Sequence, residues 1–436
     1  MDKSKRLPIL HKRAQRLSQK GMSEALVKVC RELLALDPSA VDGQRCLAMW
    51  HSDREEFVKA LPYLRTLRQH APQMPGLELP LTLALEEAGE LDAALELARG
   101  LVREDKNNYQ PYLYLGSILA ALGKHDEAAR TYGIAAHLNP QLRDLARRPE
   151  GPQFVRKRVA KCVQTLADFG RALHVTAVER ARAEFPDASL SRIENAYWRK
   201  LHDGAPDTDP GQHPHVFFVP DLARCAWFER EEFPWVEGLE AQMPHILNEV
   251  QEQYRGDQDT TPYLKEDAWD ASAWNGLVKS KRWAACHFYD GGLRNEDNCS
   301  RFPVTASALD DLPLFSVQGA PVEALFSVLE PGTHIPPHQG TANHRLTVHL
   351  PLVVPCGCTL TVNGQTRPVA SGNAMLFDDT FEHEARNDSD AVRIVLIFEV
   401  WHPDLSAAER FAIDESHAAY LHWVNDRALL DAIQTG

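Results

Sequence analysis

The sequence predicts an α+β, multidomain protein: a helical repeat array over 7–142, a helical connector and linker over 143–214, and a mostly antiparallel β domain over 215–436. Three observations predict this. In the first third, residues recur on a 34-residue ladder: Pro38, Pro72 and Pro140 with Lys106 in the missing rung; Gly21, Gly89 and Gly123 with Glu55 in their series; and Leu26, Ala60, Ala94 and Ala128. In the second half, apolar and polar residues alternate with the period of two that belongs to strands. Between them, 205–214 is rich in Pro, Gly, Asp and Thr, the composition of a linker.

A fixed period of this length marks a stack of helical hairpins in which small residues sit where paired helices approach closely. Leu115-Gly116 and the run Asp126-Glu127-Ala128-Ala129 to Tyr132 complete a unit that resembles a tetratricopeptide repeat. The resemblance implies three to four repeats, each burying its apolar face only against its neighbours. Two roles stay open: a support for the β domain, or a groove for a peptide or protein partner.

The connector is basic: Arg143, Arg147, Arg148, Arg156, Lys157, Arg158 and Lys161. Val155, Val159, Val163 and Leu166 lie on one face of the same helix, so a solvated capping helix is expected rather than an anion site. In the β domain the expectations are a short strand over 216–220 and a helix within 227–254 carrying Trp235, Leu239, Met243 and Ile246 on one side. Asn363-Gly364 is a two-residue hairpin turn, since both residues tolerate positive φ. A nearly apolar strand runs over 392–400, interrupted by Arg393 and Glu399, and Ser406 to Glu409 forms a capping box. In Arg345 to Leu350, Arg345, Thr347 and His349 share one face and Leu346, Val348 and Leu350 the other. Together these predict a small antiparallel barrel with a polar interior at one end.

Composition bounds the function. With 44% hydrophobic and 25% charged residues the chain is an ordinary globular protein. A formal charge of −14 argues against nucleic acid as the main partner. No secretory signal and no membrane-length apolar run is read, and the eight scattered cysteines do not form a disulfide framework, so a cytoplasmic protein is expected. Cys356-Gly357-Cys358 reads as a plain turn rather than a redox or metal pair.

The polar residues of the barrel suggest its chemistry. Nonhaem iron oxygenases hold Fe(II) through two His and usually one carboxylate, leaving places open for an oxo-acid and O2. Their 2-oxoglutarate needs a buried cation for its distal carboxylate, which Arg meets with a planar fork. His338, in a Pro-rich loop before a strand, His349, His383, just before the strand carrying Arg393, and Arg393 itself supply such a set.

The stretches Pro331-Gly332-Thr333-His334, Pro337-His338-Gln339-Gly340, Asn343, Arg345-Leu346, His349-Leu350, Phe377 to Glu384, Arg393 and Val400-Trp401-His402-Pro403, with Trp283, Gly292, Arg294-Asn295-Glu296 and Cys299 upstream, resemble the aspartyl/asparaginyl β-hydroxylase family over roughly 215–410. The resemblance implies a double-stranded β-helix (jelly-roll, cupin-like) catalytic domain. It implies iron on His338 and His383, 2-oxoglutarate on Ser327, His349 and Arg393, and Trp283 and Arg345 lining the pocket, with Arg345 facing a substrate carboxylate. Gly340 stands where many oxygenases carry the carboxylate ligand; the family shares this gap, so the resemblance implies that water fills that place, with Asp379 positioned to hold it. The chain departs from the family twice. Thr347 stands where animal members carry a second Arg, and Ala306 stands where their disulfide would need a partner for Cys299. The expected function is an Fe(II)- and 2-oxoglutarate-dependent dioxygenase hydroxylating the β-carbon of an aspartyl or asparaginyl residue in a peptide or protein. The alternatives are the same chemistry on a lipid acyl chain or small molecule, a halogenase (favoured by Gly340 alone), and a non-catalytic repeat scaffold.

Overall fold

The computed structural model describes residues 3–139, 141–142, 145, 151–201, 211–214, 216–265, 274 and 276–425. The expectations for Pro140, Arg143, Arg147, Arg148 and most of the 205–214 linker lie outside the described residues. The chain divides into two compact units, Met1–Gly170 with Leu421–Gly436, and Arg171–Tyr420, so that the expected connector is shared between them.

The first unit is built from α1 (Lys3–Ser18), α2 (Glu24–Leu36), α3 (Val41–Ser52), α4 (Phe57–His70), α5 (Glu78–Glu87), α6 (Leu91–Glu104), α7 (Tyr109–Ala121) and α8 (His125–Leu138), each packed on the next. The ladder residues explain the packing. Ala60, Ala94 and Ala128 are wholly buried where neighbouring helices meet. Gly21, Gly89 and Gly123 all turn with positive φ (93°, 78° and 76°), and Glu55, the exception in that series, is forced into the same region at 58°. At Gly116 a Cβ would run into the ring of Tyr132, so the close α7–α8 approach depends on that glycine. The next helix, α9 (Gln153–Glu184), buries Val159 and packs Val155 and Leu166 as expected. Its basic run is not wholly solvated, because Arg158 is buried and ion-paired with Glu86.

Among the described residues the second unit contains α10 (Ser191–Leu201) and fourteen strands: β1 (Trp227–Phe228), β2 (Thr261–Pro262), β3 (Trp283–Asp290), β4 (Leu293–Arg294), β5 (Ser316–Val317), β6 (Ala320–Pro321), β7 (Glu323–Leu329), β8 (Thr333–His338), β9 (Arg345–Val353), β10 (Cys358–Val362), β11 (Gln365–Pro368), β12 (Met375–Phe377), β13 (His383–Asn387) and β14 (Arg393–Trp401). An eight-stranded antiparallel sheet runs β1-β12-β9-β14-β7-β3-β2, with β4 added to β3; a four-stranded sheet runs β11-β10-β13-β8. The turn expected at Asn363-Gly364 joins β10 to β11 with φ of 48° and 70°. No strand forms over 216–220. Phe217 makes a single bridge to Ala342, and Val219 is tied instead to the side chain of Asn343.

Alternation decides which side chains face where. Leu346, Val348 and Leu350 of β9 and Ile394, Leu396, Phe398 and Val400 of β14 face outward and are covered by Leu239, Met243 and Ile246 of α11 (Val236–Gln253). Phe302 and Leu309, around α12 (Glu296–Arg301) and α13 (Pro303–Asp310), complete that cover. Each large side chain so covered contributes roughly 1.5–3 kcal/mol. The opposite face meets the smaller sheet, where Trp283, Leu329 and Phe377 pack on Ile335, Leu360, Val362 and Ala385. A last helix, α14 (Ala407–Asn425), is capped as expected, Ser406 Oγ accepting from Glu409 N and Glu409 Oε2 from Ser406 N. All eight cysteines are free. Among the described residues no helix is long and apolar enough to cross a membrane.

Candidate active site

The face of the larger sheet that looks at the smaller one carries the polar residues. Because their neighbours fill the outer core, Arg345, Thr347 and His349 of β9, Arg393 and Glu399 of β14, Glu323 and Ser327 of β7, and Trp283 and His287 of β3 all look inward.

His338 is the last residue of β8 and His383 the first of β13, where sequence spacing had put both in loops. The two are register partners with ring centroids 4.0 Å apart. Arg393 lies on the following strand rather than on the one His383 begins, so two strands feed the site. Each His donates Nδ1–H to a carbonyl two residues back, Pro336 O at 2.8 Å and Phe381 O at 3.0 Å. That puts the proton on Nδ1 and leaves Nε2 of each ring unprotonated, the state a metal requires. Burial holds both rings neutral, pushing His338 down to about 3, with help from its neighbour His383, and His383 down to about 4. Trp274 at 5.3 Å and Trp283 at 6.3 Å from His338, and Phe377 at 5.4 Å from His383, wall the pair. Among the described residues no group of three or more His, Cys, Asp or Glu is gathered to hold a metal ion.

The reason lies at Gly340. A Cβ there would overlap the Asp379 carboxylate, so no acidic side chain can stand at 340 without displacing Asp379. Asp379 takes a hydrogen bond on Oδ2 from Thr347 Oγ1 at 3.3 Å, while its Oδ1 has no partner, and burial pushes its carboxyl up.

Deeper in the same face, Arg393 is 1% exposed, and its Nε and Nη2 have no hydrogen-bond partner. Burial lowers the guanidinium to about 10, and the cost of an unanswered buried cation makes a ligand anion its natural partner. Around it, Ser327 Oγ accepts from Trp283 Nε1 at 3.3 Å, and the buried His349 is held neutral by desolvation and then by the charge of Arg393. His349 Nδ1 is also without a partner. The site therefore offers unprotonated imidazole nitrogens on one sheet and an unanswered buried cation on the facing one: groups suited to a metal and to a carboxylate.

Known proteins share this arrangement's sequence. The pattern of the family described as aspartyl/asparaginyl beta-hydroxylase matches residues 240–403. The human aspartyl/asparaginyl beta-hydroxylase is 36% identical over 423 residues, covering 91% of this chain and 53% of its own length. Residues 240–403 are a domain of the aspartyl/asparaginyl β-hydroxylase family. Aspartate beta-hydroxylase domain-containing protein 2 of Xenopus tropicalis is 33% identical over 211 residues, 48% of this chain and 55% of that protein. The chain thus spans about half the length of the curated relatives it matches. Of solved structures, YrrB, a TPR protein with an unusual peptide-binding site, is 18% identical with a TM-score of 0.27 over 36% of this chain and 81% of that one.

Within this hydroxylase-family site, Arg345 departs from the expected picture. Its Nε donates to Glu399 Oε1 at 2.5 Å and its Nη2 to Thr341 Oγ1 at 2.8 Å, so the guanidinium meant for a substrate carboxylate already has an internal one. Glu399 lies six residues along β14 from Arg393, about 20 Å at roughly 3.3 Å per residue and too far to answer it; the partner of Glu399 is Arg345, across the β9–β14 pair. Glu323, Trp274 and Tyr263, whose ring stacks on Trp283 at 4.1 Å, were also missed. Glu323 was legible, since it stands at the same-face spacing before Leu325 and Ser327; Trp274 and Tyr263 reach the site from outside the strands. Asp378, next to the Asp379 carboxylate, instead ties loops together: Thr380 N and Oγ1 donate to it, as does Gln212 Nε2 at 2.8 Å, and burial pushes it up to about 7.

Proposed function

We propose that this chain is an Fe(II)- and 2-oxoglutarate-dependent dioxygenase that hydroxylates the β-carbon of an aspartyl or asparaginyl residue in a peptide or protein. The observation that carries the reading is the unpartnered buried Arg393 on the inner face of the larger sheet, together with two neutral, register-paired histidines on the smaller sheet that this face meets. The two packed sheets suit a double-stranded β-helix, the jelly-roll scaffold such a site needs.

The residues fit the groups. His338 and His383 would hold iron through Nε2, their Nδ1–H bonds to backbone keeping the rings oriented. Arg393 would grip the distal carboxylate of 2-oxoglutarate as a bidentate fork, with Ser327 Oγ and His349 adding hydrogen bonds and Trp283 closing the side. Iron with 2-oxoglutarate supplies O2 activation, coupled to decarboxylation of the oxo-acid to succinate. Asp379 Oδ1, unpartnered and beside Gly340, is placed to accept from a water at the ligand place the missing carboxylate leaves. An anion there would face that carboxylate, which disfavours a halide and with it the halogenase reading. Trp274, Trp283 and Phe377 keep bulk water from the histidine pair. The repeats would present a protein substrate.

The test is aerobic incubation of the full chain with Fe(II), 2-oxoglutarate and Asp- or Asn-containing peptides, reading succinate and a peptide gain of one oxygen atom by mass spectrometry. Succinate and oxygenated peptide in equal amounts are expected; neither forming with any peptide would sink the reading.

A further inference from the structure

The inner face is polarised. Arg393 stands near one end of β14, and Glu399, six residues on, lies about 20 Å away at roughly 3.3 Å per residue. Around Glu399 the charge is of the other sign. Leu325 pairs with Ile397, so the next same-face positions, Glu323 and Glu399, are neighbours across the sheet, and Glu399 pairs in turn with Thr347, whose hydroxyl reaches Asp379. Among the described residues, three carboxylates (Glu323, Glu399, Asp379) meet one guanidinium, Arg345, leaving two negative charges unanswered when all are ionised.

The imbalance shows in the groups themselves. Burial, and then Glu399, push Glu323 up to about 8, and the Tyr263 phenol is pushed well up, first by Glu323. Glu399 is 6% exposed, yet only one of its oxygens is used: Oε1 takes the Arg345 bond, while Oε2 is buried with no partner. A buried acceptor without a donor is costly, and so is an uncompensated buried charge. An ammonium or guanidinium supplies both the donors and the charge; a carboxylate would supply neither and would be repelled. The carboxylates make no site by themselves. What points to a ligand is Glu399 Oε2, an acceptor on a side chain 6% exposed that no donor among the described residues reaches.

We propose that the site selects peptides carrying a basic side chain, lysyl or arginyl, next to the residue to be oxidised, and seats that side chain against Glu323 and Glu399. This rests on the function proposed above and names its substrate class.

The experiment uses the full chain with Fe(II), 2-oxoglutarate and two peptides identical in length and target residue, one with Lys and one with Glu beside the target. Oxygenated peptide is quantified, and 2-oxoglutarate affinity is measured in parallel. The Lys peptide is expected to have a kcat/KM about tenfold or more above the Glu peptide, an advantage that shrinks with added salt. Glu323→Gln should bring the two within about twofold and Glu323→Lys should reverse the order, both with 2-oxoglutarate affinity retained. Equal kcat/KM for the two peptides, or an order that Glu323→Lys and Glu323→Gln both leave unmoved, overturns this inference alone. Absence of 2-oxoglutarate oxidation with either peptide overturns the function on which it rests, and this with it.

Discussion

At the scale of single residues, the site depends on a few atoms whose usual partners are missing. His338 and His383 spend Nδ1–H on the backbone and keep Nε2 unprotonated, so His338→Ala and His383→Ala should each abolish 2-oxoglutarate oxidation. Both sit at strand ends, so their thermal unfolding should stay close to that of the parent. Near-normal turnover in either variant would remove that residue from the metal. Arg393→Ala removes the cation from a fully buried place. Losing one member of a buried charge pair costs about 2–5 kcal/mol, so the anaerobic Kd for 2-oxoglutarate should rise roughly 30-fold or more while Fe(II) still binds. An unchanged Kd would mean that the oxo-acid sits elsewhere. Gly340→Asp restores a carboxylate by sequence only: its Cβ meets Asp379, so activity should fall, where an open ligand place would have accepted it.

At the scale of elements, period and alternation were strong guides. The 34-residue ladder placed the buried Ala60, Ala94 and Ala128 correctly, and the β9 alternation put Arg345, Thr347 and His349 on one face. What failed was local. The apolar 216–220 stretch reads as a strand by composition, but Asn343 ties it by side-chain hydrogen bonds, a partner 124 positions away that periodicity cannot supply. The basic stretch of α9 reads as a solvated face, yet Arg158 is buried against Glu86. Glu86→Ala would strand that guanidinium in the repeat core, at a cost of about 3–5 kcal/mol, measurable as an early loss of helical signal on heating. Glu86→Ala unfolding like the parent would show that the pair is dispensable.

At the scale of the whole molecule, pH reports the polarised interior. Glu323 and Asp378 have folded values raised from 4.5 to about 8 and from 3.8 to about 7. The folded state thus holds their protons more tightly than the unfolded chain. Their contribution is full below the ordinary values and is lost as pH rises toward 7 and 8. His402 runs the other way. Burial lowers it from 6.5 to about 4, so its contribution is present above 6.5 and lost as pH falls through about 4. Above about pH 6.5 the histidine contribution is complete and only the acids still titrate, so the melting temperature should decline between about pH 6.5 and 8, and Glu323→Gln should flatten the decline, by roughly 2–4 °C per kcal/mol in a unit of this size. A Glu323→Gln profile parallel to the parent's would show that Glu323 titrates normally.

The sequence by itself determined the repeat and the alternating strands, and its motifs carried the resemblance to the family and singled out His338, His349, His383 and Arg393. Each of these is written as a spacing or a motif along the chain, and short-range backbone geometry reads it directly. Only the tertiary structure decided that His338 and His383 end two paired strands and that the Asp379 carboxylate fills the space beside Gly340. It alone paired Arg345 with Glu399 rather than leaving it for a substrate, and set Glu323 beside that pair. These bring together residues far apart in the chain, 54 positions for Arg345 and Glu399, and are fixed by sheet register and burial. Desolvation then gives them their charge states, and a one-dimensional pattern carries no record of which side chains water has left.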